Sequence, residues 1–307
     1  MSATEASPSS RLGGYLAAAG TVAIWTGFIL VSRMGGKSAL TPYDTLALRL
    51  GTAALLLLPF ASSLPRGAWR DGRLWALAMM GGLLYGVLAF AAFKFAPAAH
   101  GAILLPGMQP FLIAAVAWAI SGARPGGASV AGLVFIAMGI ACVARHELVG
   151  HGSWTPELLI GDALLLGSSL AWAIYSVLAR KWSYDPWTLT RFVALASALV
   201  FLPVYLLWLP KALDAVPPSM LALQGLYQGV AVTIVAMVLF LKAVAVLGAQ
   251  RTGALVALVP VLAGVMAAPL LGEALSGWLI AGLLFVSAGA FVAVRPGRRK
   301  TNGGLKA

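Results

Sequence analysis

PFLIAAVAWAISGARPGGASVAGLVFIAMGIACVAR, residues 110–145, occurs a second time as PVLAGVMAAPLLGEALSGWLIAGLLFVSAGAFVAVR, residues 260–295. At this shift Pro110 falls on Pro260, Gly122 on Gly272, Gly132 on Gly282, Phe135 on Phe285, Gly139 on Gly289 and Arg145 on Arg295. Eleven of the 36 ungapped positions are identical, where so apolar a composition gives roughly four by chance, and a fixed-period match marks an internal repeat. A second correspondence, offset by 147, pairs Gly14 with Gly161, Gly20 with Gly167, Trp25 with Trp172 and Arg33 with Arg180. The chain reads as two copies of one unit: 1–145, then a loop over 146–157, the second copy over 158–294, and a basic tail over 295–307.

Of 307 residues, 61% are hydrophobic and 10% charged, and the mean hydropathy is +0.93. A soluble chain carries about a quarter charged residues, so the class is integral membrane. Ten apolar runs have spanning length, roughly 12–32, 43–62, 74–94, 97–120, 127–145, 158–179, 187–209, 220–242, 250–271 and 277–294. They are continuous rather than alternating, and hydrocarbon tolerates only helices or closed barrels, so the fold class is all-α with ten transmembrane helices. The first run is too long for the core of a cleaved signal peptide. Cys142 has no partner for an internal disulfide.

Orientation follows from Lys and Arg. With the N-terminus inside, the inner segments hold fourteen, among them Arg11, Arg66, Arg70, Arg73, Arg124, Arg180, Lys242, Arg251 and the tail from Arg295. The outer loops hold five: Arg33, Lys37, Lys94, Arg145 and Lys211. That imbalance predicts cytoplasmic termini in a cell inner (plasma) membrane. It also assigns the net charge of +12 to membrane orientation rather than to nucleic acid. Five helices per copy is an odd number, so the second copy enters the membrane inverted, the architecture of secondary transporters with a site between the halves.

Gly161-Asp162, then Ser169 through Tyr175, then Arg180-Lys181, resemble the start of the second half in EamA-type members of the drug/metabolite transporter superfamily. So do Pro260 followed by Gly272-Glu273, and Gly282 through Gly289; in the first half Ile24-Trp25 and Pro42 through Arg49 are similar. One departure is Gly122-Ala123 in the first half where the second has Gly272-Glu273, so a role for that acid carries over only to Glu273. The resemblance implies a transporter, most like amino acid exporters including the aromatic amino acid type.

Candidate substrate-binding residues follow from depth and helix face. Eight of ten tryptophans fall in loops or near predicted helix ends, an interfacial belt; Trp25 and Trp172, which are repeat partners, lie near mid-helix. Thr21, Trp25, Phe28 and Ser32 share one face of the first helix, matched by Ser168, Trp172, Tyr175 and Ala179 on the sixth. Such stripes suit a cavity wall for an apolar group with a polar handle, or else tight packing. Tyr85 and Tyr227-Gln228 sit among glycines that let helices approach closely. Gln109 lies between Pro106 and Pro110, and with Pro260 these prolines mark expected helix breaks. Arg49, two turns into the second helix, is either a carboxylate partner or a cation that snorkels outward or pairs with Asp44. His100, one turn into the fourth helix, reads as a boundary residue, and His146 and His151 fall in the loop.

All nine acids lie in tails, loops or helix ends. Proton-driven carriers keep a carboxylate within the membrane, so the pattern points to export without a mid-membrane carboxylate for proton coupling. No metal, cofactor or nucleophile–base arrangement is expected. The lipid-enzyme class fails for want of clustered His, Asp or Ser at one face, and the channel class for want of a charge ring or filter loop. The reading is a carrier exporting amino acids or similar small metabolites by alternating access, with the bilayer and a small-molecule substrate as its partners. The alternative is efflux of hydrophobic or cationic drug-like compounds.

Overall fold

A computed structural model describes residues 8–122, 127–149 and 155–293. Arg124, His151 and the tail from Arg295 lie outside the described residues. No strand occurs among those described. The helices, in chain order, are α1 (Pro8–Lys37), α2 (Pro42–Ser63), α3 (Gly72–Phe95), α4 (Ala98–Ser121), α5 (Gly127–Val149), α6 (Pro156–Lys181), α7 (Pro186–Trp208), α8 (Pro218–Leu247), α9 (Arg251–Leu271) and α10 (Gly277–Ala293). Eight of them, α1–α4 and α6–α9, are long and apolar enough to cross a membrane; the described apolar stretches of α5 and α10, Val130–Cys142 and Gly277–Val292, are shorter. α1, α5 and α8 run beyond the lengths expected from hydropathy, with α5 continuing past Arg145 to Val149.

Local sequence explains where helices start and stop. Pro42, Pro156 and Pro186 each stand in a first turn, where a missing N–H costs nothing. Thr41, Thr155 and Asp185 before them accept from Asp44 N, Leu158 N and Thr188 N. At the α2 start Asp44 returns the bond to Thr41 N at 2.7 Å, closing a capping box. α4 and α9 both end on a glycine with positive φ, Gly122 at 67° and Gly272 at 65°. Those two glycines are repeat partners, and the left-handed cap is the reason both copies keep them.

Repeat partners also meet across the interior. A Cβ on Gly139 would stand 2.8 Å from Gly282 O, and one on Gly289 would stand 2.7 Å from Gly132 O. The rings of Phe135 and Phe285 lie 6.3 Å apart. Rising numbers on α5 meet falling numbers on α10, so the two helices pack antiparallel. The same exchange recurs elsewhere. α1 lies along α8 through Gly14 against Val246 and Gly20 against Leu239, while α6 lies along α3 through Gly161 against Ala96 and Gly167 against Leu88. Likewise Gly229 of α8 meets Thr52 and Arg49 O of α2, and Gly82 of α3 meets Ser197 and Val193 of α7. Each half lends its first two helices to the third helix of the other.

The helices that meet in the middle are not regular. α3 widens into π-helical turns over Ala78–Leu84 and α8 over Leu223–Val235. α4 is π-helical over Ile103–Gly107 around Pro106, turns at Met108, and restarts at Gln109 with Pro110 in its first turn. α9 breaks at Ala257 and Leu258 and restarts with Pro260 in its first turn. The three prolines stand at these breaks, where proline removes a donor and clashes with the preceding turn.

Candidate functional site

Where the broken helices converge, α1, α2, α3, α4, α6, α7, α8 and α9 enclose a cavity of about 270 Å³. Trp25, Phe28, Arg49, Tyr85, Gln109, Trp172 and Tyr175, seven of the nine expected residues, line it. One wall is a run of rings: Trp172 stands 5.0 Å from Tyr85 and 5.1 Å from Tyr175, and Phe28 stacks on Tyr85 at 6.4 Å. Gly81 presses on Tyr175 from behind, a contact no larger residue would permit.

Tyr227 and Gln228 are placed differently from the expectation. The Tyr227 hydroxyl donates to Ile24 O at 3.1 Å and fills the space left by Gly27; Gln228 Nε2 donates to Ser32 Oγ at 3.1 Å. Both therefore seam α1 to α8 and lie outside the cavity lining. The polar ends of the two expected stripes are also spent on packing. Thr21 Oγ1 donates to Ala17 O at 2.9 Å and Ser168 Oγ to Tyr85 O at 2.9 Å. Only the aromatic parts of those stripes face the cavity.

Arg49 does not pair with Asp44. Fully buried, Asp44 accepts from Thr41 N, from the Tyr205 hydroxyl at 2.6 Å and from Ala212 N at 3.1 Å. The Arg49 guanidinium instead lies 5.8 Å over the Phe28 ring and 6.0 Å from that of Tyr85, with Nη1 buried and unpaired. Opposite polarity is supplied by Gln109. Its Nε2 donates to Ser169 Oγ at 2.9 Å and Ser169 O at 3.2 Å, leaving Oε1 buried without a partner. A backbone carbonyl only accepts, so the amide cannot be turned round.

Hydropathy and depth gave no reason to single out the rest of the lining, which includes Val193, Val232, Val259, Thr190, Thr233 and Met237. Pairing the copies would have found several of them. Pro42 and Pro186 align the second helices and set Arg49 on Val193. Gly82 with Gly229 and Phe93 with Phe240 set Tyr85 on Val232, and Pro110 with Pro260 sets Gln109 on Val259.

Toward the α1 C-terminus a polar layer closes one end. Arg33 Nε donates to Glu273 Oε1 at 2.7 Å and its Nη1 to Phe93 O at 2.8 Å; Glu273 Oε2 accepts from Ala98 N at the α4 start. His100 Nδ1 stands 2.8 Å from Asp162 Oδ1, so the residue expected at a boundary is buried against a carboxylate. Lys37 donates to Leu271 O and Lys94 to Ser38 O. A second cavity of about 170 Å³ lies here between Arg33, His100 and Glu273. At the opposite end the Tyr184 hydroxyl donates to Asp71, which also caps α3 through Arg73 N. That bond holds the Asp71 carboxyl below the usual carboxylate value, while burial and then the carboxylate push the Tyr184 hydroxyl up to about 12.

The sequence profile of the EamA-like transporter family matches residues 12–145 and 159–295, one match for each copy. An uncharacterized transporter of Archaeoglobus fulgidus is 24% identical over 193 residues, covering 61% of this chain and 65% of that protein. The chain thus spans just under two thirds of that relative's length. A solved crystal structure superposes with a TM-score of 0.59 at 22% identity, over 93% of this chain and 97% of its own, which shows the fold.

Proposed function

This chain belongs to the EamA-like transporter family, and from that premise we propose that it exports amino acids or similar small metabolites across the inner (plasma) membrane by alternating access. Its ten helices form two inverted five-helix halves with both termini cytoplasmic. The antiparallel seating of α5 on α10 supports the inversion, since repeat partners Gly139 and Gly289 enter it from opposite ends. The observation that carries the function is the cavity at the junction of the halves. Its volume of about 270 Å³ falls just under the roughly 300–1,000 Å³ of drug-sized sites, a size for small metabolites. Its described lining holds Arg49 and no carboxylate, which disfavours cationic drug-like compounds through like-charge repulsion. It also leaves the cavity without a proton-carrying acid. Pro106, Pro110 and Pro260 act as hinges at the broken helices. The test is uptake of a labelled amino-acid panel into liposomes holding the purified full chain. Saturable, chain-dependent uptake of at least one amino acid is expected, and its absence across the panel would refute the reading.

A further inference from the structure

The two halves correspond in sequence and differ in what they show the cavity. Arg49, Tyr85 and Gln109 all come from the first half, and their counterparts Val193, Val232 and Val259 line the same cavity. The two second-half hydroxyls beside them are already committed: Thr190 Oγ1 donates to Pro186 O at 2.9 Å and Thr233 Oγ1 to Gln228 O at 2.8 Å. Tyr175, opposite Phe28 in the pairing, runs the other way but belongs to the ring wall with Trp172 and Tyr85. A duplicated sequence thus carries an asymmetric site.

Among the described residues, two buried side-chain polar atoms without a hydrogen-bond partner belong to the cavity lining: Arg49 Nη1, a donor on a cation, and Gln109 Oε1, an acceptor. A buried charge or polar group without a partner is costly, and both rings against Arg49 are uncharged. A ligand that satisfies the pair must offer an anion to one and a donor to the other, within a space of about 270 Å³. A carboxylate with an ammonium on the adjacent carbon does so. The remainder of such a ligand then meets rings and valines.

We propose that the cavity orients a zwitterionic amino acid with an apolar side chain head-first on the first half, its carboxylate on Arg49 and its ammonium on Gln109 Oε1. This rests on the reading of the cavity as the transport site. Both head-group contacts thus come from the first half, on α2 and α4, and the valines of α7, α8 and α9 face the apolar end.

The test uses three probes of one shape on the full chain in detergent, read by calorimetry: phenylalanine, phenethylamine, which lacks the carboxylate, and 3-phenylpropionate, which lacks the ammonium. Phenethylamine should bind on the order of 10- to 100-fold more weakly than phenylalanine, the range of a charge-assisted contact. 3-Phenylpropionate should bind on the order of tenfold more weakly. Arg49→Gln should weaken phenylalanine while phenethylamine, no longer facing a like charge, binds at least as tightly as to the unaltered protein, so that the gap between the two closes, and Gln109→Leu should erase the gap between phenylalanine and 3-phenylpropionate. Phenethylamine binding the unaltered protein as tightly as phenylalanine would overturn the proposal while leaving amino-acid transport standing. So would an equal loss of both ligands in Arg49→Gln. If none of the three binds, the proposal and the amino-acid reading of the cavity fall together. Should Arg49→Gln not fold, the ratio of the probes on the unaltered protein still decides the carboxylate, and Arg49→Lys, which keeps the charge, should retain that ratio in part.

Discussion

Arg33 on α1 donates to Glu273, just past the end of α9, at 2.7 Å, and so ties the first helix of one copy to the close of the other. The two side chains are 15% and 13% exposed. Glu273 also accepts from Ala98 N, so one carboxylate joins α1, α4 and α9.

Glu273→Gln keeps an acceptor for Ala98 N but removes the charge facing Arg33. Breaking a buried pair costs about 3–5 kcal/mol, and partial exposure reduces this to roughly 1–3 kcal/mol. A cysteine placed at Ala99, which borders the second cavity, in a Cys142→Ala background should then react roughly ten- to a hundredfold faster with an impermeant thiol reagent. Unchanged labelling would mean that the pair does not hold this end shut.

Trp172→Ala should weaken apparent substrate affinity by roughly ten- to a hundredfold, the worth of one stacked and buried aromatic. The ring also packs on Tyr85 and Tyr175, so a loss of about 1–3 kcal/mol in stability accompanies it. Trp172→Phe, which keeps a ring, should recover most of the melting temperature in detergent and only part of the affinity. Transport of every substrate at the unaltered rate would place the cavity elsewhere.

An imposed proton gradient should not accelerate flux in liposomes, because no carboxylate lines the central cavity among the described residues. The measurement is initial uptake at matched and unmatched pH. Concentrative uptake driven by pH alone contradicts this and points to the His100–Asp162 pair.

Both termini should be shielded from an impermeant thiol reagent in intact cells, and a cysteine replacing Ser153 should be labelled, again in a Cys142→Ala background. Fourteen inner against five outer Lys and Arg residues carry this expectation. Labelling of a terminus without Ser153 reverses the orientation.

Asp71 has a lower pKa folded than unfolded, so its bond from Tyr184 adds stability above the unfolded value of about 3.9 and loses it as pH falls through the folded one. The melting temperature of the unaltered protein should exceed that of Asp71→Asn near neutrality. The difference should shrink on acidification below about pH 4. A gap that stays constant with pH would remove the ionised bond from the explanation.

Much of the fold is legible in the sequence. Period, hydropathy and charge yield the two copies and most helix positions, because bilayer spanning imposes long apolar runs. Trp25 and Trp172 were legible from depth plus their correspondence. Tyr227 and Gln228 misled because a glycine-rich helix accommodates an aromatic equally well as a seam, and Gly27 is the residue that admits it. His100 misled because hydropathy does not show that Asp162, 62 positions on, folds beside it. The valines opposite Arg49, Tyr85 and Gln109 look like ordinary membrane-helix residues until the copies are superposed.

The contact of α5 with α10 is made twice over, Gly139 on Gly282 and Gly289 on Gly132. A surface built this way is isologous: it recognises its own duplicate. One copy of the sequence therefore already encodes both sides of the join, provided two copies enter the bilayer facing opposite ways. Joining the copies in one chain supplies the stoichiometry. It also releases the paired cavity positions to diverge, since a change at residue 49 no longer forces the same change at residue 193.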